Sequence, residues 1–186
     1  MKALAVGDVT GGGSPSAPRA VFLTDFLHIP RPFERLAPIL LDDDALWLTA
    51  LSLRTGVTPE AASVSTQGQA PSALIRLRSL DRGARFPVHE GILTAQPGRR
   101  HEGAAIVPVT LEPASFEKLL PKLEADLELA AFGEDVCRLG ITGRYRAPLG
   151  ALGARLDKLG MHRLAESAIR SLLLDVEGTL GDLEPT

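Results

Sequence analysis

Few side chains in this sequence suit acid–base, nucleophilic or metal chemistry. Besides carboxylates it carries four histidines, His28, His89, His101 and His162, and one cysteine, Cys137. No two histidines share an element at metal-ligand spacing, and one thiol cannot build a cysteine-based zinc site, so no metal is expected. Cys137 falls inside an alternating apolar stretch, where a small buried hydrophobe is the expected role. It also has no partner for an intramolecular disulfide, which fits a reducing, cytoplasmic setting. The run Gly11-Gly12-Gly13 lacks the Lys-Ser/Thr of a phosphate loop, and neither a GxGxxG after a strand nor a nucleophile elbow occurs, so no cofactor is expected.

The weak catalytic candidates are His89 and Glu90. Neighbours in a strand point to opposite faces, so only one of them faces inward. The apolar set Phe86, Val88 and Ile92 puts Glu90 inside, whereas pairing with Ile75 and Leu77 puts His89 inside unless a bulge intervenes. An inward Glu90 in apolar surroundings would have a raised pKa and serve as acid or base; at the cavity mouth it would be solvated. Asp25 shares a face with Val21, Leu23, Leu27 and Ile29, either as a buried polar handle or turned to solvent. Glu124, Asp126 and Glu128 read as a solvated sheet face balanced by Arg138, Arg144 and Arg146 in preference to a carboxylate site. His162, Glu166 and Arg170 lie four apart, the spacing of an exposed ion-pair ladder on a helix.

These residues must be positioned by an α+β framework. A strand over 20–29 stops at Pro30 and Pro32. Helical sequence follows over 33–55 in two pieces, with Pro38 interrupting the first and Asp42-Asp43-Asp44 starting the second, which ends at Gly56. The second piece is apolar almost all round (Leu46, Trp47, Leu48, Ala50, Leu51, Leu53), so it is covered on most sides or lies across a cavity mouth. Residues 57–71 read as a loop, with room for a short strand at 62–66. Strands are expected over 72–80, 84–95, 104–112, 121–131 and 136–147, joined by short turns and therefore antiparallel. Pro121 argues against a helix over 115–129. Apolar residues at 152, 156, 159, 164, 165, 168, 172 and 176 mark a long C-terminal helix over 149–180. Residues 1–18 and 181–186 read as loose tails around one domain over 19–180.

The hairpin 121–131/136–147 fixes its own register. Pairing residues whose numbers sum to 268 sets Leu123 against Tyr145, Ala125 against Gly143, Leu127 against Ile141 and Leu129 against Leu139. The opposite face then sets Glu124 against Arg144. An apolar face and a charge-paired face agree on one register. Ala125 opposite Gly143 leaves either a void or a close helix contact, and the Tyr145 hydroxyl wants a polar partner.

The 186 residues suit one domain able to bury a core without staples. A net charge of -3 disfavours nucleic acid, and no stretch approaches a membrane span. Aromatics are only 4%, so small aliphatic residues must fill the core and leave room for a guest.

The segment from Gly143 to Glu166 resembles the bacterial START-related, polyketide cyclase-like superfamily (SRPBCC). Those sequences end in a strand, a YRPPLG turn and a helix carrying LDR…HRVAE. Here the matching positions are Tyr145, Arg146, Pro148, Leu149, Gly150, Leu156, Asp157, His162, Arg163, Ala165 and Glu166. Leu120-Pro121 resembles the opening of the family's preceding strand. The similarity covers roughly the last 70 residues. Ala147 replaces the first Pro of the turn, which makes it less rigid. The resemblance implies a helix-grip fold, in which a curved sheet of six or seven strands wraps the C-terminal helix around an apolar cavity. The expected lining is Ala125, Leu127, Leu129, Leu139, Ile141, Gly143, Tyr145, Leu152 and Leu156, with Trp47 on a covering helix. Three functions stay open. One is a binder of a lipid, polyketide or aromatic compound, and another a cyclase or aromatase using Glu90, His89 or Tyr145. The third is an interaction module with a filled core, acting through 45–53. Either a monomer or a homodimer fits.

Overall fold

The computed structural model describes residues 20–58, 70–78, 89–114, 122–146 and 158–185. In chain order these form β1 (Ala20–Ile29), α1 (Phe33–Leu40), α2 (Leu46–Arg54), β2 (Ser72–Leu77), β3 (His89–Ala95), β4 (Arg99–His101), β5 (Ala104–Pro113), β6 (Leu123–Ala131), β7 (Cys137–Arg146) and α3 (Lys158–Leu183). The strands make one antiparallel sheet in the order β1-β7-β6-β5-β3-β2, with β4 also on β5. Two short helices after the first strand and a long last helix complete the α+β helix-grip architecture.

Strict alternation makes the sheet two-faced. Along β6 the odd residues Leu123, Ala125, Leu127 and Leu129 are buried while Glu124 and Asp126 are exposed. The β6–β7 register is Leu123–Tyr145, Ala125–Gly143, Leu127–Ile141 and Leu129–Leu139, as the hairpin pattern requires. Glu124 meets Arg144 at 2.9 Å and Glu128 meets Arg138 at 3.2 Å on the outer face.

Pro38 does not break α1. It is the sixth of eight residues and exposed, so the helix forgoes one backbone bond and still runs to Leu40, where Leu41 N–H bonds the Ala37 carbonyl at 3.0 Å. The acidic run precedes α2 instead of forming its first turn, with Asp42 Oδ2 accepting from Leu46 N–H at 3.2 Å. Between them Ala45 takes a left-handed conformation, φ 48°. The strand β4 was not expected from the sequence. Gly103, at φ +69°, turns Arg99–His101 back onto Ala104–Ile106.

α3 runs alongside β1 in the same direction. Arg170 meets Asp25 at 3.2 Å, and further on Glu184 is held by Arg31 and Arg35. The helix continues through Gly181 to Leu183, because Gly181 lies against the Arg31 guanidinium and Glu184 anchors its end. Gly178 sits directly under Arg54, which reaches Asp182 at 2.7 Å and clasps α2 to α3. Residues 1–19, 59–69 and 147–157, where the N-terminal tail, the strand at 62–66 and the start of the last helix were expected, lie outside the described residues.

Candidate functional site

Side-chain size varies along the inner sheet face opposite α3. At one end Leu129, Leu139 and Ala105 are completely buried, in one core cluster with Leu172, Leu173, Val176 and Leu180 of α3. Each such leucine contributes about 1.5–3 kcal/mol by leaving water. Two rungs along the ladder, Ala125 keeps 9% exposure and Gly143 is only half-buried. A helix rises about 1.5 Å per residue and a strand about 3.3 Å. Counting back from the Arg170–Asp25 contact, Ala165 and Ala168 come over Leu23 and its partner Gly143. Those two alanines keep 7% and 9% exposure. Side chains here are small, where the Leu129–Leu139 rung carries two leucines.

Gly143 is required by its neighbours. A Cβ there would stand 2.5 Å from the Ala125 Cβ and 2.7 Å from the Glu124 carbonyl oxygen. Steric closeness across β6–β7 thus keeps side-chain bulk out of the open end. Tyr145, on the next rung, is buried. Burial pushes its hydroxyl pKa up, and the negative charge of Glu166 on α3 adds to the effect. Inner-face neighbours of this ladder outside the hairpin are Leu23 and Val109; extending the register through β1 and β5 identifies them.

The β2–β3 pairing settles the His89 and Glu90 question. Leu77 faces His89 and Arg76 faces Glu90. Glu90 is exposed and bonded to Arg76 Nε at 3.0 Å, so it is not an inward acid or base. His89 shares the inward parity of the buried Gly91, Leu93 and Ala95. Its Nε2 is buried with no hydrogen-bond partner among the described residues. Burial also lowers its pKa, so the imidazole is neutral near pH 7.

Asp25 is a polar handle on the inner face of the edge strand. It accepts from Arg170 at 3.2 Å and from Phe26 N–H at 2.8 Å, while Arg170 also donates to the Phe26 carbonyl at 2.8 Å. Arg170 therefore reaches across to β1, which a ladder confined to α3 would not do. The side chain of His162, and Leu152 and Leu156, lie outside the described residues.

Trp47 is buried. It borders a small hollow of about 50 Å³ with Leu40, Ala45, Ala95, Gly98 and Val107. That space suits a water molecule and is far below the ~300 Å³ of a small-molecule pocket. Cys137 is fully buried and its thiol is pushed up to about 11 by burial, which makes it unreactive. Among the described residues no group of three His, Cys, Asp or Glu side chains is placed to hold a metal ion.

No family model matches the chain, and no curated protein matches it in sequence. Solved structures do match its fold. The aromatase/cyclase Zhui from Streptomyces sp. R1128 superposes with a TM-score of 0.52 at 13% identity, over 88% of this chain and 93% of its own. Norcoclaurine synthase from Thalictrum flavum gives 0.53 at 10% identity, over 94% and 95%. A conserved protein from Geobacillus kaustophilus gives 0.50 at 13% identity, over 87% and 96%. At such identities the likeness establishes the fold, which is the helix-grip fold that the C-terminal resemblance implied.

Proposed function

We propose that this chain is a START-related protein that holds an apolar small molecule between the sheet and the N-terminal half of α3. One observation carries the reading. Ala125, Gly143, Ala165 and Ala168 are small, whereas the Leu129–Leu139 rung and the later part of α3 carry leucines and a valine. Binding draws on the ligand's apolar area at about 25 cal/mol per Å², less the cost of ordering it. Two of the proteins with this fold are named as a cyclase and a synthase, which suits a small-molecule site.

Catalysis is the second reading. With Glu90 turned outward, His89 and Tyr145 are the inward groups left to act as acid or base among the candidates. The interaction-module reading has less support, since α2 buries Trp47, Leu48 and Leu51 and leaves only Leu46 and Leu53 exposed. No helix among the described residues is long and apolar enough to cross a membrane. A cytoplasmic monomer or homodimer fits the reading.

The test is mass spectrometry of an organic extract of the washed, purified protein. A co-purifying apolar compound at one equivalent supports the binder. A clean extract, together with no uptake of an apolar dye, contradicts it.

A further inference from the structure

We infer that the Asp25–Arg170 pair closes the free edge of β1 against strand pairing, so that two copies of this chain do not join their sheets there.

β1 ends the sheet, and among the described residues β7 is its only strand partner. The β6–β7 ladder shows which backbone groups of β1 are left over. A Cβ on Gly143 would stand 2.5 Å from the Ala125 Cβ, so these facing residues form the close kind of antiparallel pair, which exchanges no hydrogen bonds. Gly143 therefore turns its N–H and C=O the other way, to Leu23 of β1. The odd residues of β1 bond to β7, and Phe22, Thr24, Phe26 and His28 turn their N–H and C=O to the free edge. The facing pair Phe26–Gly140 agrees, since a Cβ on Gly140 would stand 3.6 Å from the Phe26 Cβ.

A ten-residue edge strand, with Phe22 and Phe26 exposed on the outer face, is a template for a further strand. At Phe26 that template is already filled. Its N–H donates to Asp25 Oδ1 at 2.8 Å and its carbonyl accepts from Arg170 Nη1 at 2.8 Å, while the two side chains meet at 3.2 Å. One acceptor and one donor thus stand where a neighbouring strand would supply them. The opposite edge is covered in the same way. In β2, Arg76 N–H donates to Thr55 Oγ1 at 3.1 Å and the Leu74 carbonyl accepts from the Ser52 hydroxyl. Ser52 and Thr55 are buried, whereas Asp25 and Arg170 keep part of their surface in water, so the cover on β1 can be removed without hollowing the core. A second copy fits the uncovered edge, because a two-fold axis sets two β1 strands antiparallel.

The experiment compares the full chain with Arg170→Met by sedimentation velocity over a concentration series, with amide hydrogen exchange read at each concentration. Arg170→Met should self-associate at least about tenfold more tightly than wild type, as hydrogen bonds between strands replace the guard on both copies. The Thr24, Phe26 and His28 amides should gain protection as concentration rises. Adding Thr24→Pro removes an edge N–H, leaves both phenylalanines in place, and should return the variant to wild-type association. A folded Arg170→Met protein that associates no more tightly than wild type overturns the inference. So does association that survives Thr24→Pro, which places the contact elsewhere, or a wild type that already pairs through β1. Should Arg170→Met fail to fold, Asp25→Ala removes the other half of the pair and is judged by the same outcomes.

Discussion

Leu129 faces Leu139 with no exposed surface, and two rungs along the same pair of strands Ala125, 9% exposed, faces a half-buried Gly143. Backbone geometry is shared, since both rungs belong to one antiparallel ladder. Side-chain volume is what differs, and α3 repeats the contrast. Its C-terminal half brings Leu172, Leu173, Val176 and Leu180 to the sheet, while near its start it brings Ala165 and Ala168. One end of the layer supplies stability. On the proposed reading the other gives up packing and gains a place for a guest, which is how one small core serves both needs.

The sharpest way to break this contrast is to make the same cut at both ends. Leu139→Ala, at the sealed end, should cost about 3–4 kcal/mol, because a cavity would be left in a tightly packed region. Leu123→Ala, beside the proposed site, should cost about 2 kcal/mol or less, because on the proposed reading the rung next to it is loosely filled. Urea unfolding of the two variants measures the difference, and equal losses would erase the distinction.

Next in size is Gly143→Ala, which pushes a Cβ into Ala125 and should cost about 1–3 kcal/mol. Ala125→Gly in the same chain should recover part of that loss, because the nearest obstacle is gone. A double-mutant cycle reads the coupling.

Acid should weaken the fold through His89. Its folded-state pKa lies below the ordinary 6.5, so the unfolded chain takes up the proton first. Stability from this group is present above pH 6.5 and declines as pH falls through 6.5 toward the folded value. His89→Gln should flatten that part of the stability–pH curve. The smallest effect belongs to the outer face, where Glu124→Gln breaks an exposed pair with Arg144 and should change stability by less than about 1 kcal/mol.

The β6–β7 hairpin was legible because two independent patterns, apolar and charged, demanded one register. β1 was legible in full, since alternation and Pro30 mark its length. His89 and Glu90 were not, because the apolar Ile92 keeps 41% exposure and argues for the wrong face. β4 escaped notice as two arginines and a histidine with no apolar pattern. Among the expected lining residues, alternation identified the inner face but not depth along it. Leu129 and Leu139 lie toward one end of the ladder, and Ala125, Gly143 and Tyr145 toward the other. Depth depends on which part of α3 comes to rest over each rung, and that follows from long-range contacts such as Arg170 with Asp25.

The most direct test of the open end is titration of Ala125→Trp with N-phenyl-1-naphthylamine, beside wild type and with unfolding monitored in parallel. An indole at position 125 should fill the space beneath Ala165 and Ala168, abolishing dye binding while cooperative unfolding persists. Undiminished dye affinity in a folded Ala125→Trp protein would contradict a binding site at this end of the sheet.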